Sequence, residues 1–318
     1  MNNKKILITG SAGFIGFHLA LFLKSRGDFV IGCDNFNPYY DPLLKKKRAA
    51  LLLEKGISVI DEDICNTSAI EKLVTDHQIT HIVHLAAQAG VRYSVTHPEK
   101  YVHSNLDGFV QIMEVCKKHP HVKCVFASSS SVYGLNKKIP FAETDPTDEP
   151  ASFYGATKKC NELIAKSYHN LYGISLTGLR FFTVYGPWGR PDMAYFSFTK
   201  AILEGKPLPV YGNGKLKRDF TYIDDIVKGT AAAIDLESSF EIFNLGNNKP
   251  EEVLTLISFI EEILGKKATL NFLPGPPGEV EATYADITKS QKFLGFTPKT
   301  SLKDGLTHFL TWYQNKER

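Results

Sequence analysis

The sequence predicts an α/β fold, a doubly wound parallel sheet with a smaller α/β unit interleaved into it. Three observations carry that expectation. Short apolar runs alternate with helical patterns through residue 180. A glycine-rich turn, Gly10-Ser11-Ala12-Gly13-Phe14-Ile15-Gly16, joins the first run to the first helical pattern. Residues of chemical consequence then fall at the carboxyl ends of the predicted strands, where ligands bind in such sheets. The 318 residues, 43% apolar and 22% charged, suffice for one large or two ordinary domains. A net charge of +3 is too small to argue for nucleic acid. The cysteines (Cys33, Cys65, Cys116, Cys124, Cys160) are odd in number and form no Cys-x-x-Cys, as expected of incidental thiols in a reducing cytosol. The first strand starts almost at Met1, which leaves no room for a signal peptide, and no apolar run approaches ~18 residues. These features predict a cytoplasmic protein.

In order, Lys4 to Thr9 reads as an apolar strand and His18 to Lys24 as the helix that follows it. Between them, Gly10 permits a tight turn, Gly13 lets backbone approach a pyrophosphate, and Gly16 lets the helix pack close to the sheet. The spacing is G-x-x-G-x-x-G rather than the G-x-G-x-x-G of the usual fingerprint. The next strand, Phe29 to Cys33, ends in Asp34, 18 residues beyond Gly16. A carboxylate there accepts hydrogen bonds from a ribose diol and repels a 2′-phosphate, which favours NAD over NADP. Ile57 to Ile60 is a strand leading to Asp63 and Ile64, Ala69 to His77 is helical, and His81 to Leu85 is a strand running into Ala86 and Ala87. Glu99 to Lys118 is a long helix, Val122 to Ala127 a strand, Ser152 to Tyr172 a helix and Ser175 to Arg180 a strand. From Phe181 the pattern breaks into short elements punctuated by Pro and Gly, with a second such stretch at Pro274 to Gly278. Asp224 to Leu236 reads as a helix and Glu241 to Leu245 as a strand returning to the sheet. We expect residues 1–180 and 220–246 to form a Rossmann domain for the dinucleotide, and 181–219 and 247–318 a substrate domain.

The chemistry is concentrated between Ser128 and Lys158. A serine run, Ser128-Ser129-Ser130-Ser131, precedes Val132-Tyr133-Gly134, and Tyr154-Gly155-Ala156-Thr157-Lys158 follows. Tyr154 and Lys158 lie one helical turn apart on one face. A free tyrosine, with a pKa near ~10, is a poor base. A nearby ammonium favours the phenolate, and a serine hydroxyl can relay the proton. That set suits removal of a carbinol proton as hydride leaves its carbon. The run Lys45-Lys46-Lys47-Arg48 reads as a solvated helix face, His84 as a core residue, and the ten histidines show no metal-ligand spacing.

Gly10-x-x-Gly13-x-x-Gly16, Ser129 and Tyr154-x-x-x-Lys158 together resemble the extended short-chain dehydrogenase/reductases, in particular the nucleotide-sugar epimerases and dehydratases. The resemblance spans essentially the whole chain. Four stretches look more narrowly like UDP-glucuronate 4-epimerases: Asp34 to Asp41 (DNFNPYYD), Ala86 to Ser94 (AAQAGVRYS), Arg180 to Met193 (RFFTVYGPWGRPDM) and Arg218 to Tyr222 (RDFTY). The resemblance implies that bound NAD takes hydride from carbon 4 of the sugar and returns it to the other face. It makes Tyr154 the base, with Lys158 tuning it and Ser129 relaying the proton. Gly10, Gly13, Phe14, Ile15, Gly16, Asp34, Asn35, Asp63, Ile64, Leu85, Ala86, Ala87, Asn105, Ser128 and Phe181 would hold the dinucleotide along with Tyr154 and Lys158. Arg92 and Arg218 would meet the UDP diphosphate and Val210 the uracil, while Ser129, Ser130, Ser131, Thr183 and Arg190 would face the sugar. A homodimer through the helices at 99–118 and 152–172 is implied in the same way.

Relatives that dehydrate or decarboxylate carry an acid just before Val-Tyr-Gly, where this chain has Ser130 and Ser131. Two serines give no acid/base for elimination across carbons 5 and 6. They exclude a decarboxylase less firmly, because a 4-keto uronate is a β-keto acid and loses CO₂ unaided. Arg190 is the candidate to grip the uronate carboxylate with both arms of its guanidinium. The competing readings are a 4-epimerase of a neutral UDP-hexose or UDP-N-acetylhexosamine, a UDP-glucuronate decarboxylase, and a dinucleotide sensor without chemistry. The retained Ser129, Tyr154 and Lys158 speak against the last.

Overall fold

The computed structural model describes residues 4–274 and 281–316. Through residue 181 the elements run β1 (Lys5–Thr9), α1 (Phe14–Ser25), β2 (Phe29–Asp34), α2 (Pro42–Glu54), β3 (Val59–Asp61), α3 (Thr67–Asp76), β4 (His81–His84), α4 (Tyr93–Thr96), α5 (Pro98–Tyr101), a π-helical stretch Val102–Asp107, α6 (Gly108–Lys118), β5 (Lys123–Ser129), α7 (Phe153–Tyr172) and β6 (Leu176–Phe181). There follow β7 (Thr183–Tyr185), α8 (Ala194–Glu204), β8 (Leu208–Tyr211), β9 (Lys217–Tyr222), α9 (Ile223–Asp235), β10 (Phe240–Leu245), β11 (Pro250–Glu252), α10 (Val253–Leu264), β12 (Leu270–Leu273), β13 (Ala282–Thr283), α11 (Thr288–Leu294) and α12 (Leu302–Lys316).

The main sheet has seven parallel strands in the order β10-β6-β5-β4-β1-β2-β3. It is the doubly wound sheet the sequence predicts. Strand order reverses between β1 and β4, which opens a crevice at their carboxyl ends. Side chains alternate along each strand, so Ile6 and Ile8 join one buried cluster while Leu7 joins the other. Both faces are therefore covered, as a parallel sheet requires. The predicted return of Glu241 to Leu245 is β10, paired in register with β6. The predicted strand at Ile57 begins two residues later, at Val59. Gly56 turns the chain at φ +72°, and the Ile57 amide still bonds back to Leu52 at the end of α2.

Beyond β6 a smaller sheet gathers around β9, which pairs antiparallel with β11 and parallel with β7 and β13. A separate pair joins β8 to β12. Its apolar support comes from α8, α10 and α12, where Tyr195, Phe196, Ile260, Phe309 and Tyr313 are all buried. Asp219 ties this half together. It is 0% exposed and accepts hydrogen bonds from the amides of Asn247, Asn248 and Ala285 and from the Thr221 hydroxyl. Of the proline- and glycine-rich stretch at 274–278, residues 275–278 lie outside the described residues.

Removing the Asp219 carboxylate strands three buried amides at once. Asp219→Ala should therefore cost about 3–5 kcal/mol, by analogy with breaking a buried charged network. Urea unfolding of the variant beside the parent chain measures the loss.

Candidate active site

The glycine turn is shaped by what a side chain would strike. A Cβ on Gly10, held at φ +73°, would lie 2.7 Å from the Ala86 amide nitrogen, so β1 and the loop after β4 touch there. A Cβ on Gly16 would meet the Gly10 carbonyl oxygen at 2.3 Å, and one on Gly13 the same oxygen at 2.8 Å. Helix α1 starts after Gly13 with no side-chain cap. Its first amides are thus left to an anion, as a dinucleotide pyrophosphate requires. Phe14 packs into the core, and Ile15, Leu85, Ala86 and Ala87 line the surface beside it, half-buried.

Asp34 is buried at the tip of β2 and accepts from the Ala12 and Phe36 amides at 3.1 and 2.9 Å. Its carboxylate also lies 3.5 Å from Lys45 Nζ. Next to it, Asn35 donates to Asp63. Burial opposes ionisation of Asp63, but the Cys65 amide, Asn35 and His103 outweigh it and hold its pKa at about 2. The sequence spacing hides that Asp63, Cys65 and His103 meet, with ligand atoms within 4.8 Å. Hydrogen bonding accounts for the cluster, since His103 Nε2 lies 3.2 Å from Asp63 and Nδ1 3.7 Å from Cys65 Sγ. Ile64 is buried against Gly108, where a Cβ would strike it at 2.5 Å. The Asn105 side chain is spent within the protein, accepting from the Gln88 amide and donating to the Gln88 carbonyl and Thr157.

One correction concerns residues 45–48. Lys46 and Lys47 are solvated as expected, but Lys45 and Arg48 are buried. Residues three apart on a helix share a face, and here that face turns inward. Lys45 meets Asp34, while Arg48 donates to the carbonyls of Ala12, Trp188 and Gly189 and to the Tyr40 hydroxyl.

The serine run closes β5 and turns through a short 3₁₀ segment, Ser130–Tyr133. Ser128 donates to buried Glu162, which is gripped by both arms of Arg180 at 2.8 Å. Ser129 donates to the Ser131 hydroxyl at 3.2 Å and accepts from the Ser131 amide. Ser152 caps α7 by accepting from the Gly155 amide, and a Cβ on Gly155 would meet the Ser131 carbonyl at 2.5 Å. This lack of a side chain lets the first turn of α7, with Tyr154, press against the serine run. The Ser94 hydroxyl accepts from the Tyr154 amide. Burial raises the pKa of the Tyr154 phenol, and the groups drawing it back are the Ser129 hydroxyl and the Arg190 guanidinium. Lys158 donates to the Ala127 carbonyl at 2.9 Å, and burial brings its pKa down to about 8. His84 is a core residue, bonded to Thr9 and held neutral by burial with a pKa of about 3.

Arg190 sits in the loop after β7 and reaches towards Tyr154 from the smaller half. Its Nε and Nη2 donate to Asp192 at 3.1 and 2.6 Å. Thr183 is half-buried and Phe181 buried at neighbouring strand ends. Arg92 stacks over the Tyr211 ring at 4.8 Å, beside β8. The Val210 side chain is fully buried, which leaves its backbone as the part able to meet a base. Arg218 lies on β9 next to Asp219, half-buried, and donates to the Lys217 carbonyl. The sequence reading missed Tyr39, Arg48, Ser94 and Asp192. Tyr39, Ser94 and Asp192 lie inside the motif stretches, and an i,i+3 inward face was the available sign for Arg48.

Among the described residues no helix is long and apolar enough to cross a membrane. Residues 6–246 match the profile of the NAD dependent epimerase/dehydratase family. UDP-glucuronate 4-epimerase 3 of Arabidopsis thaliana is 51% identical over 326 residues, covering 97% of this chain and 76% of the plant protein. The crystal structure of UDP-glucuronic acid 4-epimerase from Bacillus cereus, in complex with UDP-glucuronic acid and NAD, superposes with a TM-score of 0.91 at 41% identity. The match covers 98% of this chain and 99% of that one. UDP-glucose 4-epimerase from Thermotoga maritima, with UDP-glucose, gives a TM-score of 0.88 at 28% identity and covers 99% and 100% of the two chains.

The pKa of Lys158 in the fold, about 8, lies below its unfolded value near 10.4. Below about pH 8 the folded protein carries a buried ammonium at full cost, and stability rises with pH up to about 10.4. The stability gap between ligand-free Lys158→Met and the parent should therefore move by about 3 kcal/mol, in the parent's favour, from about pH 7 to about pH 10.5. Urea titrations at the two pH values check this.

Proposed function

The chain belongs to the NAD-dependent epimerase/dehydratase family, and from that premise we infer that it is a UDP-glucuronate 4-epimerase, interconverting UDP-glucuronate and UDP-galacturonate. The observation that carries the choice of sugar is Arg190. It is a cation close enough to act on the Tyr154 phenol, and the neighbouring Ser129, Ser130 and Ser131 are neutral hydroxyls. Asp192 holds one edge of the guanidinium, and a uronate carboxylate offers a fork of two acceptors to the other, which the single hydroxyl of a neutral sugar does not. A dehydratase would need an acid where the chain has serine.

NAD supplies reversible hydride acceptance at carbon 4 of the sugar. The chain's own residues do the rest. Gly10, Gly13 and Gly16 let the backbone close on the pyrophosphate, with Phe14 and Ile15 offering amides. Asp34 takes the adenosine ribose, with Asn35, Asp63 and Ile64 around the adenine and Leu85, Ala86, Ala87, Ser128 and Phe181 along the rest, Asn105 bracing the loop at Gln88 from behind. Tyr154 removes the proton from the 4-hydroxyl, and Ser129 shares that hydroxyl and relays the proton. Lys158 tunes the phenol once the nicotinamide ribose joins it. Arg92 and Arg218 meet the diphosphate, about which the 4-keto sugar turns, and the Val210 backbone meets the uracil. Thr183, Ser130, Ser131 and Arg190 hold the carboxylate so that its bond to carbon 5 stays out of line with the carbonyl π system.

We place the dinucleotide domain at 1–180 and 220–246 and the substrate domain at 181–219 and 247–318, a boundary that β9 straddles. A homodimer through the helices at 99–118 and 152–172 is favoured by Leu163 and Leu171, large apolar side chains left exposed on α7. The five free thiols suit a cytoplasmic location.

Purified protein given UDP-glucuronate without added cofactor should yield UDP-galacturonate alone by proton NMR. A UDP-pentose or its 4-keto form as the main product would make it a decarboxylase. Turnover of UDP-glucose or its N-acetyl relative alone would make it a neutral-sugar epimerase. Tyr154→Phe should lower turnover roughly 10³-fold while leaving UDP-glucuronate bound, checked by calorimetry beside the assay.

A further inference from the structure

Arg190 and Asp192 meet fork to fork, and the side of the fork that is used matters. A guanidinium presents two edges that can each grip a carboxylate, one made by Nε and Nη2 and the other by Nη1 and Nη2. Asp192 occupies the first, with Nε on Oδ1 and Nη2 on Oδ2. Nη1 has no hydrogen-bond partner among the described residues, and the Arg190 side chain keeps 22% of its surface open. Asp192 is fixed from behind. The Tyr39 hydroxyl donates to its Oδ2 at 3.1 Å, and the Arg190 guanidinium lies over the Tyr39 ring at 5.9 Å. That ring packs on Tyr93 at 4.8 Å. Gly90, at φ +102°, is bare where a Cβ would strike the Tyr39 hydroxyl at 2.4 Å. Burial opposes ionisation of Asp192, but the Arg190 charge and the hydrogen bonds from Arg190 and Tyr39 keep its carboxyl below the usual range.

We propose that Asp192 and Tyr39 are positioning residues for the reaction on a uronate. They take up the inner edge of Arg190 and aim its outer edge at the sugar carboxylate. This rests on the epimerase reading and on Arg190 as the carboxylate clamp. Since Asp192 neutralises Arg190, the clamp draws its selectivity from orientation rather than from surplus charge. An Arg190 released from Asp192 turns about its own terminal bonds, and the carboxylate it holds turns with it. The bond between carbons 5 and 6 of the 4-keto sugar then comes into line with the carbonyl π system. That bond breaks, its electron pair passes into an enolate ending on the carbon 4 oxygen, CO₂ leaves, and a proton from water adds at carbon 5. Loss of positioning is therefore read out as a specific by-product.

The test uses Asp192→Asn and Tyr39→Phe in the full chain with UDP-glucuronate labelled at the carboxyl carbon. CO₂ release, product NMR, thermal melting and substrate calorimetry are followed in parallel. Asp192→Asn should lose tenfold or more in kcat/KM, on the order expected when one partner of a close charge pair is removed. It should also divert a measurable share of turnovers to CO₂ and pentose, which the parent does not. Tyr39→Phe, which keeps the ring, should move both readouts the same way by less, with melting unchanged. Unchanged kinetics and clean product in Asp192→Asn would overturn the proposal, as would a uniform loss of rate with no CO₂. If Arg190→Ala were also clean and fully active, the clamp reading itself would fall. A parent chain inert towards UDP-glucuronate would sink the epimerase reading instead.

Discussion

The site depends on a buried cation that meets no carboxylate among the described residues. The Arg48 guanidinium, 0% exposed, aims Nη1 and Nη2 at the carbonyls of Ala12, Trp188 and Gly189 and at the Tyr40 hydroxyl, while its buried Nε has no partner among the described residues. Ala12 lies in the glycine turn, whereas Trp188 and Gly189 directly precede Arg190. One side chain thus joins the glycine turn to the loop that carries Arg190. His18 adds a second tie from α1 by hydrogen bonding to the Pro187 carbonyl at 2.9 Å, and burial keeps it neutral with a pKa of about 4. Trp188 is held at φ +57°, an unfavourable backbone for a bulky residue that persists because its carbonyl is anchored. Burying such a charge is costly, and several well-placed carbonyl dipoles are what make it tolerable.

Two further buried ionic groups act in the same manner elsewhere. Glu162 and Arg180 pair beneath the serine run, joined by Ser128, Tyr133 and Asn244 through bonds of 2.6–2.9 Å. Asp219 gathers three amides from two distant segments beside Arg218. Asp219 holds backbone amides, while Glu162 and Arg180 tie together side chains of β5, β10 and the 3₁₀ segment. Burying charge adds little net stability compared with apolar packing, whether the charge meets an opposite charge or only dipoles, so the return on these three lies in a single defined geometry.

Much of this was legible in residue order. Apolar periodicity located the main sheet, and Gly10, Asp34 and Ser129 fell at its strand ends, where a parallel sheet binds its ligands, while Tyr154 and Lys158 lie in the first turns of α7. Arg48 was misread because a run of four cations on a short helix looks solvated until the partner surfaces are known. The surfaces that bury it come from residues 12 and 188–189, and no local pattern announces a contact across 140 positions. The tuning of Tyr154 was equally hidden. An i,i+4 spacing promises a lysine near the phenol, yet in the ligand-free fold Lys158 is turned to the Ala127 carbonyl and the acting cation, Arg190, arrives from the other half.

The π-helical stretch at Val102–Asp107 has a bearing on how the gene can vary. It widens the helix by one residue just where Asn105 turns in to bind Gln88 and Thr157. Upstream, the Tyr101 hydroxyl reaches the carbonyls of Ala89 and Gly90. Losing one residue from the stretch would return it to an ordinary helix and rotate everything before it by about 100° relative to α6. Tyr101 would then swing away from the loop that supports Tyr39. Helix interiors commonly tolerate substitution far better than a change of length, and here the register is doubly constrained. Single-codon deletions at 102–107 should be depleted from any functional library of this chain, while conservative replacements at the outward positions persist.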